Sequence, residues 1–402
     1  MIILIINAGS SSMKYQLWDT NRGGMQAKGL VSRIGIENPL LEHYAGDIKN
    51  EFAPEGIIDH KEALKLALLA LIHPEHGVLK KIEQIDAVGH RVVHGGEKFS
   101  HSVLITPRVK ETIRECIPLA PLHNPPNLMG IEACEDVLKT VPQVSVFDTA
   151  FHQTMESYAY MYAIPYNFYE NYRVRRYGFH GTSHYYVAYR AAEMMGKPIE
   201  ELKIITAHLG NGASITAIDA GKSVDTSMGF TPLEGLVMGT RSGDIDPAVV
   251  MFMMKNENMD AQGVDNILNK KSGLLGISGV SNDFRDVIDA ADSGNKRAKL
   301  AMDIYAYRIR KYIGAYAAAM SGLDILVFTA GVGENCPRLR WMVMENLEFL
   351  GAKVDREKND KIIGEEADIS DKNAAIKTLV IPTNEELVIA MKTEEIVSNM
   401  KE

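Results

Sequence analysis

KIITAHLGNGASITAI, residues 203–218, follows the same plan as IILIINAGSSSMKYQLW, residues 2–18. In both, an apolar run gives way to a short polar turn carrying glycine, and alternating side chains resume after it. A short apolar run bounded by turn signals reads as a buried strand, and the alternation as its hairpin partner. Gly9 falls opposite Gly210 when the two stretches are aligned. The echo predicts a duplicated core, each half offering a hairpin turn to a shared cleft.

Other segments fit around this pair. Strands are expected at Ile85–Val93, Val144–Phe147 and Ile325–Phe328. Helices are expected at Glu62–Ile72 and Lys299–Met320, with Pro337 opening another. The third strand runs into a third glycine turn, Ala330–Asn335, and Thr383-Asn-Glu-Glu386 reads as a capping box for the last helix. The stretch Pro118–Pro126 reads as a rigid loop presenting His123. Strands alternating with helices predict a mixed α/β fold, with a first domain boundary around Asp148–Gln153.

Composition limits the function classes. A chain of 402 residues suits two domains, and 46% hydrophobic with 24% charged residues is ordinary for a soluble protein. A net charge of -9 argues against nucleic-acid or anionic-membrane surfaces. Cys116, Cys134 and Cys336 are odd in number and far apart, which reads as reduced thiols. The apolar start lacks a basic leader and no run is long enough to span a bilayer, so a cytoplasmic location is expected.

Residues 225–247, DTSMGFTPLEGLVMGTRSGDIDP, show no sustained period and are too apolar for a linker. They read as an ordered loop whose glycines let backbone approach a ligand. Arg241, between Gly239 and Gly243, is either a fork for carboxylate or phosphate oxygens or half of a structural pair with Asp244 or Asp246. The three turns Gly9–Ser12, Gly210–Gly212 and Gly331–Gly333 are neither Walker A loops nor dinucleotide fingerprints. Together they nonetheless favour phosphate binding by backbone N–H groups.

Lys14 could return to those phosphates or be a solvated strand lysine. His180 and His184 have a zinc-like spacing without a third ligand, which leaves a hydrogen-donating His180 beside anions as the better reading. Arg91 sits at a strand end beside two downstream glycines, either in a cleft or on the surface. If nucleotide binds, Asn7, Asp148 and Glu385 are the oxygen donors available for magnesium, although a carboxylate at a strand end or in a first helical turn also has a purely structural use.

Six motifs together resemble the acetate kinases: residues 7–15, 89–96, 147–152, 177–184 and 382–386, with the 225–247 loop. The resemblance runs from residue 7 to residue 386. It implies two duplicated actin-like (ribonuclease H-like) domains with an interdomain cleft: residues 1–150, completed by a C-terminal helix at about 384–402, and residues 151–383. It implies Mg²⁺-dependent, reversible transfer of the ATP γ-phosphoryl group to acetate, giving acetyl phosphate and ADP, with Mn²⁺ as an alternative metal.

By motif position, Asn7 and Glu385 would bind metal, Arg91 would bind carboxylate, and His180 and Arg241 would stabilise the transition state. Lys14 with Ser10 and Ser12, His208–Gly212 (Leu209, Gly210 and Asn211 between them), Asp283–Arg285 with Phe284, and Gly331–Asn335 (Val332, Gly333 and Glu334 between them) would hold nucleotide. Asn282 stands where a serine is common. Asp148 occupies the position given as acid/base; acetate is already ionised at neutral pH, so orienting Arg91 or metal-bound water is the physically sounder role. Val93, Leu122, Phe179 and Pro232, with His123, would form a small pocket favouring acetate over propionate. Alternatives are a propionate or butyrate kinase and, in a different class, an actin-like or chaperone-like ATPase switch. A homodimer through the second domain is also implied, with Gly314, Ala315, Ala317, Ala318 and Ala319 permitting close helix contact.

Overall fold

The computed structural model describes residues 1–54 and 56–400. The chain divides into two compact units, Met1–Gln153 with the segment from Asn384 onward, and Thr154–Thr383. The end of the expected 384–402 segment, residues 401–402, lies outside the described residues.

The first unit contains β1 (Ile2–Gly9), β2 (Ser12–Asp19), β3 (Gly24–Ser32), β4 (Leu40–Ala45), β5 (Ile48–Phe52), β6 (Ala87–Val92), β7 (Val103–Leu104) and β8 (Gln143–Phe147). They form one sheet in the order β5-β4-β3-β2-β1-β6-β8-β7. β1 is apolar along nearly its whole length because both of its faces are covered. Leu4, Ile6 and Ala8 join a core with the helices His60–Leu71 and Asn124–Val137. Ile3 and Ile5 join a second core with Ile389, Ala390 and Val397 of the C-terminal helix Glu385–Asn399.

The second unit contains β9 (Lys203–Leu209), β10 (Ala213–Asp219), β11 (Lys222–Thr226), β12 (Ile325–Thr329), β13 (Ala367–Asp368) and β14 (Lys377–Val380), in the order β11-β10-β9-β12-β14-β13. Its five strands β11-β10-β9-β12-β14 repeat β3-β2-β1-β6-β8. In each set the first two pairings are antiparallel and the last two parallel. The duplication read from two hairpins therefore extends to a whole sheet topology.

Several local expectations need correction. Residues 118–126 are not a loop throughout: Asn124 starts a helix, with proline in its first turn, where a missing N–H costs nothing. Ala330–Asn335 is a short helix following β12, not a turn. His208 lies on β9. The last helix is capped by Asn384, whose side chain accepts from Leu387 N at 3.0 Å, while the Thr383 hydroxyl bonds Ser183 instead.

His90 on β6 is 2% exposed and its Nε2 meets Gln143 Oε1 at 2.6 Å. Burial pulls its pKa down to about 4. Because the folded value lies below the unfolded one, neutral His90 stabilises the fold fully above about pH 6.5, and this is lost as pH falls through 4. The expected loss over that window is roughly 3 kcal/mol. Urea unfolding at pH 7 and pH 4.5 should show a shallower acid loss in His90→Gln, and equal slopes would remove His90 as the cause.

Candidate functional site

The carboxyl ends of parallel strands in an α/β sheet are where ligands bind, because loops diverge there and helix N-termini converge. In the first unit, Asn7 lies near the end of β1, Arg91 near the end of β6, and Asp148 directly after β8. Arg91 grips Asp148 as a fork, Nε to Oδ1 at 3.1 Å and Nη2 to Oδ2 at 2.5 Å. Glu385 Oε2, in the first turn of the last helix, is 3.8 Å from Arg91 Nε. Two carboxylates thus face one guanidinium.

Asp148 is 1% exposed. Burial and the neighbouring Asp148 charge push the Glu385 carboxyl up to about 7, against the pull of Arg91. Burial alone would lower the Arg91 pKa, but Asp148 and Glu385 outweigh it and raise it. The cluster is short of positive charge, and its donors are oxygens. That is the chemistry of a hard divalent cation site, so Glu385 and Asn7 fit Mg²⁺. Lys14 is exposed on β2 and lines, with Asn7 and Glu386, a cavity of about 230 Å³. Ser10 lies in the β1–β2 turn, and Ser12 opens β2 paired with Gly9.

Sequence reasoning missed what holds this strand end in place. Asn127 accepts from Val93 N at 3.0 Å and donates to Ala8 O at 2.9 Å, joining the ends of β1 and β6. Asn124 accepts from His94 N at 3.1 Å and donates to His94 O at 3.0 Å. The only local signal was two asparagines around a proline pair. Val93 is buried, whereas Leu122 is 71% exposed and His123 is exposed.

In the second unit His180, with a left-handed backbone, begins the helix Gly181–Met195. Its Nδ1 is 2.9 Å from Ser214 Oγ, which also meets His184 Nε2 at 2.7 Å. One hydroxyl can donate to only one of the two rings, so the other must donate to it. His184 Nδ1 continues to Thr206 Oγ1 at 2.6 Å. Both nitrogens of the His184 ring therefore meet hydroxyls, which leaves that ring none for zinc. His208 stacks on His180 at 4.1 Å and meets Ser183 Oγ at 2.8 Å.

A side-chain carbon placed on Gly212 would lie 3.4 Å from His180 Cε1 and 3.5 Å from Arg241 Nη2. The β9–β10 turn, His180 and Arg241 therefore form one cluster. Arg241 Nη1 donates to Pro232 O at 2.8 Å, and among the described residues Arg241 has no carboxylate partner. The structural pair is excluded: Asp244 accepts from Gly235 N and Tyr312, and Asp246 caps the helix Pro247–Asn256. Burial holds the Arg241 pKa below its ordinary value.

The loop glycines serve backbone packing more than ligand approach. Gly235, at φ 106°, would place a side-chain carbon 2.5 Å from Ser227 O, and Gly243, at φ 68°, one 2.4 Å from Gly235 O.

A cavity of about 640 Å³, in the range of nucleoside-sized ligand pockets, brings together Gly210, Asn211, Asp283, Phe284, Arg285, Gly331, Val332 and Asn335. Asp283 and Arg285 form a fork at 3.0 and 2.6 Å, and these bonds hold the Asp283 carboxyl down at about 2. Leu274, Ile288, Cys336 and Arg338 also line the cavity and were not foreseen. Leu209, Gly212, Gly333 and Glu334 do not line it. Leu209 is buried, and Glu334 accepts from Ala330 N at 2.6 Å and Thr383 N at 2.9 Å, tying together the ends of β12 and β14. Phe179 is 2% exposed and Pro232 half-buried.

Known proteins align with this arrangement along the chain. The Acetokinase family model matches residues 2–391. An acetate kinase of Thermoanaerobacterium thermosaccharolyticum is 59% identical over 402 residues, covering 100% of both chains. The solved acetate kinase of Porphyromonas gingivalis is 50% identical with a TM-score of 0.96, covering 98% of this chain and 99% of that one. A solved propionate kinase from Francisella tularensis is 44% identical with a TM-score of 0.91, at the same coverage.

Proposed function

The chain belongs to the acetokinase family, and from that premise we propose how its residues transfer a phosphoryl group between ATP and the carboxylate of acetate. The family match over nearly the whole chain carries the acetate kinase reading. The Arg91 fork supplies its chemistry. Nε and Nη2 of Arg91 face Asp148, so the remaining N–H groups present an edge for the acceptor carboxylate. Asp148 orients the guanidinium and takes no proton, because acetate enters ionised.

The Arg241 and His180 set takes the transferring phosphoryl oxygens, whose charge spreads over three equatorial positions in a loose transition state. Nucleotide occupies the cavity between Asn211 and Arg285, with Lys14 a further phosphate cation. Glu385 and Asn7 would hold Mg²⁺, which when bound neutralises phosphate charge. Positioning and charge neutralisation then supply most of the rate.

Trapping acetyl phosphate with hydroxylamine tests the reading against its alternatives. With ATP, the expected colour depends on acetate, and propionate gives a lower kcat/KM. A methylene is worth only about 1–3 kcal/mol, so propionate is a poorer substrate and is not excluded. Propionate or butyrate outrunning acetate would favour those kinases, and acetate-independent ATP hydrolysis would favour an ATPase switch.

We also propose a cytoplasmic homodimer. All three cysteines are unpaired, and among the described residues no helix is long and apolar enough to cross a membrane. In the second unit the strongly apolar helix Pro247–Asn256 has no buried residue, with Met251 and Phe252 exposed. Ala315, Ala318 and Ala319 are likewise exposed. Sedimentation at micromolar concentration should give twice the chain mass, and a monomer there would refute the dimer.

A further inference from the structure

Asn211, in the β9–β10 turn, lines the larger cavity, and so does Asn282. Asn282 Nδ2 donates to Asn211 Oδ1 at 3.1 Å, while Gly239 N donates to the Asn211 backbone carbonyl at 3.0 Å. A side-chain carbon on Gly239 would lie 2.1 Å from Asn211 Oδ1 and 3.0 Å from Asn282 O. The missing side chain of Gly239 is therefore the slot in which the Asn211 amide lies. Gly239 is two residues from Arg241, and Met238 N donates to Arg241 O at 3.1 Å, tying that short segment end to end. The segment is fastened from its other side, where Gly239 O accepts from Leu275 N at 3.0 Å.

We propose that Asn282 and Gly239 are positioning residues: they hold the Asn211 amide, and through it couple occupancy of the nucleotide cavity to the placement of Arg241. The inference rests on the acetate kinase reading for the role of Arg241. Asn282 is exposed and supports no core, so its removal should leave stability nearly unchanged. The contact is one hydrogen bond, worth a few-fold to about tenfold in an equilibrium or a rate.

The test is Asn282→Ala, Gly239→Ala and the double variant, each followed by steady-state kinetics, ADP calorimetry and thermal unfolding. Asn282→Ala should weaken ADP binding and lower kcat together by about 3- to 10-fold, with the acetate KM within about twofold of the parent and Tm unchanged. Because both changes act through the same amide, the double variant should be no worse than Gly239→Ala alone. Parental ADP affinity and kcat in Asn282→Ala, or effects that multiply in the double variant, would overturn the latch. A parent protein that binds ADP yet makes no acetyl phosphate would overturn the kinase reading instead, with calorimetry of Asn282→Ala still deciding the latch.

Discussion

Arg241→Ala should lose roughly 10³-fold in kcat, the scale set by arginine fingers in phosphoryl transfer, while its Tm stays level or rises. The two halves of that expectation share a cause. Arg241 is half-buried, its Nη1 is anchored on the Pro232 carbonyl, and among the described residues no carboxylate neutralises it. A cation kept partly desolvated without a counter-ion is a cost to the fold, and its pKa is lowered accordingly. Such a group is repaid only when an anion arrives. Removing it should relieve the folded protein and impoverish the transition state, the pattern of a stability–activity trade-off. Arg241→Lys should recover little, since a point charge lacks the planar fork. Turnover close to the parent in Arg241→Ala would take this residue out of the mechanism.

Arg340→Leu should have the largest effect on stability, about 3 kcal/mol or more, from loss of several charge-assisted hydrogen bonds at once. Arg340 is 0% exposed. Its Nε donates to Asn359 Oδ1 at 2.9 Å, Nη1 to the carbonyls of Gly333 and Glu334 at 2.9 Å each, and Nη2 to those of Asn359 and Ile362 at 3.0 and 2.6 Å. Leucine would leave these acceptors buried without donors. Lysine would keep the charge but reach only some of them, so Arg340→Lys should fall between. The carbonyls of Gly333 and Glu334 belong to the short helix after β12 that lines the cavity proposed for nucleotide, so ADP affinity should fall with stability. Urea midpoints measure the first effect and calorimetry the second. A midpoint for Arg340→Leu indistinguishable from the parent would show that the acceptors find other partners.

Neither prediction was equally visible in the sequence. Arg241 stood out because it is the one basic residue in an apolar, glycine-punctuated loop. Nothing in the sequence singled out Arg340. The same division separates the two hairpin turns, read directly, from Asn127, whose carbonyl partner Ala8 lies 119 positions away. The loop glycines show it again: their presence was plain, but their use against neighbouring backbone was not.

The repeated hairpin of a duplicated core, the strand-end position of Arg91 and Asp148, and the family itself were legible in the sequence alone. Apolar runs, side-chain period and glycine turns act over a few residues, so they survive without a third dimension. Only the tertiary structure decided that Asp148 clasps Arg91, that Arg241 has no carboxylate partner among the described residues, and that Asn211 meets Asn282 over Gly239. Those facts depend on which distant segments the strand order and loop packing bring together, and no local pattern encodes a partner's address.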